Sequence, residues 1–174
     1  LSLHYQPLVN REGMIIGLEA LLRWHHPELG YIPPDKFIPI AESTGMIVEI
    51  GNWTFQTACR QRKLWEEMGF NDIKLSVNLS PKQLMADELV ESIKGVLKES
   101  RLDSQCLELE ITESCLMDHP ELAVGKINDL YNLGINFSLD DFGTGYSSLS
   151  YLKRFTIDNL KVDKSFIMDI KIDI

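Results

Sequence analysis

"IKLSVNLS", residues 73–80, alternates with the period of an extended strand, so that Ser76, Asn78 and Ser80 fall on one face and Leu75, Val77 and Leu79 on the other. The pattern returns in "CLELEITES" (106–114), where Glu108, Glu110 and Thr112 oppose Leu107, Leu109 and Ile111. It returns again in "INFSLDDFG" (135–143), with Ser138 and Asp140 on one face and Leu139 opposite, and in "DNLKVDKSF" (158–166), with Asn159, Lys161 and Asp163 opposing Leu160 and Val162. Strands of an open parallel sheet are apolar on both faces, because helices cover both. One polar and one helix-covered face instead suits a barrel, whose inward polar residues converge on a pocket at the C-terminal rim.

Two further strand runs, "LHYQPLV" (3–9) and "IIGLEALLRW" (15–24), precede these, which makes six strands. Amphipathic stretches separate the runs: 34–45, 47–69, 81–101, 120–134 and a short one at 147–155. Pro81 and Pro120 stand at first-turn positions, and Gly69 and Gly134 follow last turns. Alternating strand and helix patterns predict βαβ units and a mostly parallel sheet, while the first two strands, joined by "NREGM" (10–14), also fit an antiparallel hairpin. Barrels of this kind have eight strands and about 250 residues. The expectation is therefore one domain over residues 1–174, about two βα units short.

A composition of 44% hydrophobic and 25% charged residues fits a globular domain. The net charge of −9 argues against a broad phosphate-binding surface, so no DNA or RNA polymer is expected as a partner, and an anionic ligand would need metal ions. Cys59, Cys106 and Cys115 are widely spaced and show no ligand spacing with His4, His25, His26 or His119, which suits reduced thiols and a cytoplasmic location rather than disulfides or zinc. The apolar stretches are too short and too charged for a membrane span or a signal peptide.

The chemistry gathers at inward positions near the strand ends: Glu19, Asn78, Glu110, Asp140 with the adjacent Asp141, and Lys161. Four carboxylates in one place repel and stay partly protonated unless cations neutralise them, and hard oxygen ligands select Mg²⁺ or Mn²⁺. Two neighbouring aspartates can serve a pair of ions, an arrangement suited to in-line phosphoryl displacement, with Lys161 orienting water or compensating charge. Taken singly, Glu19 reads as a partner of Arg23 and "LELEITE" as a half-exposed strand; it is their recurrence on successive strands that points to a site. "DFG" (141–143) is shared with protein kinases, but no Gly-rich phosphate loop or His-Arg-Asp loop precedes it. Gly143 and Gly145 mark either a gate beside the carboxylates or an ordinary turn, and Trp24, Trp53, Trp65, Phe37 and Phe55 read as core or helix-packing residues.

"EALLRW" (19–24), "VNLS" (77–80), "LEITES" (109–114), "DDFGTGYSSLSYL" (140–152) and "LKVDKSF" (160–166), with "YQP" (5–7) and "IPPDKFIPIAESTGMI" (32–47), resemble the EAL-domain phosphodiesterases of bacterial cyclic di-GMP signalling. The resemblance implies a modified TIM-type (β/α)8 barrel with an antiparallel first strand, here truncated after about six strands. The family's later helix, its Glu-bearing seventh strand and its last strand with a Gln find no match before Ile174. It also implies hydrolysis of cyclic di-GMP to linear pGpG with Mg²⁺ or Mn²⁺. By motif, Glu19, Asn78, Glu110 and Asp140 resemble ligands of a first ion, Asp140 and Asp141 serve a second, and Lys161 holds the catalytic water. Glu113 resembles the residue that steadies the "DDFGTG" loop and couples metal binding to dimerisation, which implies a homodimer through the 140–152 region. Gln6, Arg23 and Asp163 resemble substrate contacts, Arg23 on phosphate and Asp163 near a guanine. Such domains belong to longer signalling proteins with sensory or cyclase domains, some of them membrane-anchored. Two alternatives remain open, a nonhydrolytic cyclic di-GMP receptor and a scaffold that binds no nucleotide.

Overall fold

In the computed structural model, residues 1–117, 119–143 and 153–168 are described. β1 (Ser2–Val9) and β2 (Ile15–His26) form the antiparallel hairpin, with Gln6 directly opposite Glu19. The turn between them is held by Asn10, whose Oδ1 accepts the N–H groups of Glu12 and Met14 at 3.1 and 2.9 Å. A short β3 (Gly30–Ile32) folds back on the end of β2, and α1 (Pro34–Thr44) and α2 (Ile47–Glu67) follow. From there β4 (Lys74–Asn78), β5 (Leu107–Thr112), β6 (Asn136–Phe142) and β7 (Asn159–Val162) add in parallel, giving the order β1-β2-β4-β5-β6-β7.

The apolar faces do what their period requires. Leu75, Val77, Leu79, Leu107, Leu109, Ile111 and Leu139 are buried against Phe55, Ala58, Cys59, Ile93, Leu116, Ile127 and Leu130. Each fully buried Leu or Ile stabilises the fold by about 1.5–3 kcal/mol. Leu160 and Val162 are the exceptions to the expected pattern, at 54% and 53% exposure: β7 is the last strand in the described sheet order and, among the described residues, pairs on one side only. Trp53, at 36% exposure, is likewise not a core residue, whereas Phe37 and Phe55 are buried. Trp65 and Trp24 pack edge-on against Tyr5 and Phe37, at 4.7 and 5.5 Å between ring centroids.

Three elements differ from the sequence reading. The stretch 81–101 is two helices, α3 (Pro81–Met85) and α4 (Leu89–Ser100), parted where Ala86 is extended at φ −66° and ψ 130°. Its periodicity reads as continuous because Leu84, Leu89, Ile93 and Val96 all bury in the same core. The strand expected over 106–114 stops at Thr112, and α5 (Glu113–Met117) begins at once. There the Thr112 hydroxyl accepts the Cys115 N–H at 3.4 Å, the bond by which a threonine opens a helix. β3 makes the described strands seven rather than six. The helix expected over 147–155 lies largely outside the described residues.

A 3₁₀ turn (Ser104–Cys106) precedes β5, and α6 (Pro120–Tyr131) and α7 (Lys164–Met168) complete the described elements. Arg62, wholly buried, ties α2 to the approach of β4 by donating to the carbonyls of Ile73 and Asn71 at 2.6 and 2.7 Å. Among the described residues no helix is long and apolar enough to cross a membrane.

The sheet is curled. β2 and β7 are four strand steps apart, about 19 Å if the sheet were flat. Yet Lys161 Nζ on β7 lies 3.1 Å from Glu19 Oε2 on β2. The side chains meet only because the polar face is the concave inside of a partly formed barrel, which the described strands do not close.

Candidate active site

Four inward side chains converge first. Lys161 donates to Glu110 Oε2 at 2.6 Å and to Glu19 Oε2 at 3.1 Å, while Asn78 Nδ2 donates to Glu19 Oε1 at 3.0 Å. Alternation supplies the placement: Glu19 is opposite Ser76 in the β2–β4 ladder, and Asn78 is opposite Glu110 in the β4–β5 ladder. The Glu110 side chain is wholly buried, that of Glu19 is 15% exposed and that of Lys161 27%.

This arrangement is short of positive charge. Burial raises the Glu110 carboxyl to about 7; the hydrogen bond and charge of Lys161 oppose that rise, and the charges of Glu19 and Asp140 add to it. Burial works to lower the Lys161 pKa, but Glu110, Glu19 and Asp140 together carry it above its ordinary value. Glu110 Oε1 is left buried without a hydrogen-bond partner. Such an oxygen costs stability until a proton, a water or a cation reaches it. Among the described residues no three His, Cys, Asp or Glu side chains stand close enough to share one ion, and Lys161 is the cation the carboxylates share instead. Carboxylates, one amide and an orphaned oxygen are donors of the kind that hard divalent cations take.

Asp140 and Asp141 sit where the β6–β7 ladder shifts register, between Leu139 and Phe142. Asp141 adopts φ 53°, the left-handed conformation, which aspartate tolerates better than most residues. Strict alternation would separate the two carboxylates. At this irregularity Asp141 nevertheless senses Asp140: burial first, then the charges of Asp140 and Asp163, push its pKa up, against Lys161 and Lys164. Its N–H donates to Asp140 Oδ1 at 3.0 Å.

Glu113, buried at the start of α5, accepts the Gly143 N–H on Oε2 at 3.3 Å. Gly143 has φ 98°, and a Cβ there would lie 2.7 Å from the Phe166 ring, so both its conformation and its surroundings require glycine. Gly145 and most of the 140–152 loop fall outside the described residues.

The three expected substrate contacts are more scattered. Gln6 is exposed beside Glu19 on the neighbouring strand. Arg23 donates to the Leu22 carbonyl at 2.9 Å and lines a cleft of about 490 Å³ together with Asn78, Ile38, Ile50 and Thr112. The lining of this cleft takes in the ends of β4 and β5 at Asn78 and Thr112, and Asn78 is the residue it shares with the acidic group. Asp163 is turned to the start of α7, where its carboxylate accepts the N–H of Ser165 at 2.9 Å and the Ser165 hydroxyl. The hydroxyl bond, then the N–H bond, holds its pKa below the usual carboxylate range.

The EAL domain family model matches residues 1–173. The chain belongs to the EAL domain family. It is 46% identical over 174 residues to the bifunctional diguanylate cyclase/cyclic di-GMP phosphodiesterase MucR of Pseudomonas aeruginosa, covering 99% of this chain and 25% of that protein. It is 44% identical over 170 residues to the cyclic di-GMP phosphodiesterase PdeR of Escherichia coli, covering 98% and 26%. The chain thus spans about a quarter of the length of these curated relatives. Among solved structures, the MucR phosphodiesterase in complex with c-di-GMP superposes with a TM-score of 0.93 at 45% identity, covering 99% of this chain and 70% of that one. The EAL domain of FimX from Pseudomonas aeruginosa bound to c-di-GMP gives 0.86 at 25% identity, covering 97% and 67%. The mostly parallel sheet with its antiparallel first strand and flanking helices is shared with these EAL domains.

Asn159, Ser76 and Glu108 were placed on the inward face by their period, but no chemical signal in the sequence set them apart. Their contacts do, as described below.

Proposed function

We propose that the chain is the metal-dependent part of a phosphodiesterase that hydrolyses cyclic di-GMP to linear pGpG. The observation that carries this reading is the meeting of Glu19, Asn78, Glu110 and Lys161 on the concave face, with Glu110 Oε1 buried and unpartnered. Phosphodiesterases acting on cyclic di-GMP are the relatives on which the reading leans.

In this proposal Glu19, Asn78, Glu110 and Asp140 hold one Mg²⁺ or Mn²⁺, and Asp140 and Asp141 hold a second. When bound, the ions supply an acidified water and neutralise charge developing on the phosphoryl oxygens. Lys161 then orients the attacking water and keeps the buried carboxylates ionised. Arg23 takes a phosphate at the mouth of the cleft, Gln6 and Asp163 contact the remainder of the substrate, and Glu113 holds the loop that follows Asp141 through Gly143. The chain is read as one EAL domain, working as a homodimer through the 140–152 region within a longer cytoplasmic or membrane-anchored signalling protein.

The test is conversion of cyclic di-GMP to pGpG by the purified protein with Mn²⁺, followed by chromatography against an EDTA control. Product that depends on metal is expected. Tight nucleotide binding without turnover would replace this reading with that of a receptor, and absence of both would refute it.

A further inference from the structure

We infer that Glu108 is a positioning residue for the reaction proposed above: through Asn159 it sets the register of β7, and so the place of Lys161 between the two glutamates. The inference rests on the phosphodiesterase reading for its kinetic part and on the contacts alone for its structural part.

Glu108 precedes Glu110 by two residues on β5, and Asn159 precedes Lys161 by two on β7, so each pair shares the inward face. Lys161 donates to Glu110 Oε2 at 2.6 Å, and one layer below it Asn159 Nδ2 donates to Glu108 Oε2 at 2.5 Å. These two rungs join β5 to β7 across β6, which lies between them in the sheet. The second oxygen of Glu108 accepts the Ser76 hydroxyl of β4 at 3.1 Å, so a single buried carboxylate fastens three strands.

Main-chain pairing fixes β7 at its start, where Asp158 donates its N–H to the Phe137 carbonyl at 2.9 Å and accepts the Phe137 N–H on Oδ2 at 2.8 Å, but is interrupted further along. Its ladder with β6 has the pairs Ser138–Asn159 and Leu139–Leu160, then a shift before Phe142–Val162. A slip of one residue would carry Lys161 to the outer face and bring Leu160 and Val162 to the inner one. The bond from the exposed Asn159 amide to the buried Glu108 carboxylate opposes that slip. Glu108 thus acts on the chemistry through Asn159 and the strand, without contact to Glu19, Glu110 or Lys161 in the hydrogen bonds of the site.

A donor swap tests this. Asn159→Asp sets two carboxylates against each other; adding Glu108→Gln restores a hydrogen bond with the donor on the opposite strand, since the Gln amide can donate to Asp at 159 and its oxygen can still accept from Ser76. For Asn159→Asp, hydrogen exchange of the 159–162 amides should rise by about tenfold or more, and kcat should fall by a similar factor with KM within about twofold. The double variant should recover most of both. Glu108→Gln alone, which preserves shape, supplies a milder increase in exchange should the aspartate variant not fold. Unchanged exchange in Asn159→Asp, or a double variant no better than the single one, overturns the inference. Absence of turnover in the unsubstituted protein would count against the phosphodiesterase reading alone, and the exchange comparison would still decide the role of Glu108.

Discussion

Replacing Glu19 by Gln should remove activity while sparing the fold. At 3.1 Å from Lys161 Nζ, the Glu19 charge gains about 5 kcal/mol at an effective dielectric of about 20. Desolvating the two ions offsets several kcal/mol of that, and Glu110 remains as a nearer partner at 2.6 Å. A glutamine also keeps an oxygen for the Asn78 amide. The net cost should be no more than about 2 kcal/mol, or about 4–8 °C in Tm for a chain of this size. If Glu19 holds an ion as proposed, loss of its charge should lower turnover more than about a hundredfold, since even residues behind metal ligands are worth 10–100-fold. Lys161→Met is the contrasting change: it leaves the buried Glu110 carboxylate bare and should cost about 3–5 kcal/mol in addition to activity. The assays are urea unfolding and Mn²⁺-dependent hydrolysis of cyclic di-GMP. Turnover within twofold of the unsubstituted protein for Glu19→Gln, or a stability loss equal to that of Lys161→Met, would refute the reasoning.

Glu113→Ala should free the Gly143 amide, speeding its hydrogen exchange about tenfold, and an unchanged rate would remove Glu113 from the support of the loop. Gly51→Ala places a Cβ 1.8 Å from Gln83 Nε2, displacing the side chain that completes the capping box of α3 with Ser80. The change should cost about 1–2 kcal/mol despite alanine's better helix propensity, and a raised urea midpoint would contradict it. Burial pushes the Cys59 thiol up to about 12, so iodoacetamide at pH 8 should label the half-buried Cys106 well before Cys59; equal rates by mass spectrometry would show that α2 opens.

The barrel was legible because its strands carry a period of two that an open parallel sheet has no use for. Asn78, Glu110 and Lys161 could be assembled from that period alone, with Glu19 following from the pairing of β2 beside β4. Glu113 could not, since alternation would assign it to the apolar face with Ile111. Only the helix opened by Thr112 turns it toward Gly143. The pairing of Asp140 with Asp141 was legible from their adjacency, but the positive φ at Asp141 was not, because it leaves no periodic trace. β3, three residues long, is too short to display a period, and the exposure of Leu160 and Val162 depends on their strand's place in the sheet rather than on their own chemistry.

The bond between Lys161 and Glu19 joins residues 142 positions apart. A ribosome adding about 5–20 residues per second delivers the lysine roughly 7–28 s after the glutamate. During that interval the β1–β2 hairpin, and later β5, can fold and pair, but their inward carboxylates have no ammonium to face. The contact between Lys161 and Glu19 therefore closes the longest loop among the described hydrogen bonds, and the acidic pocket gains its ammonium only once β7 has been made and has joined the sheet.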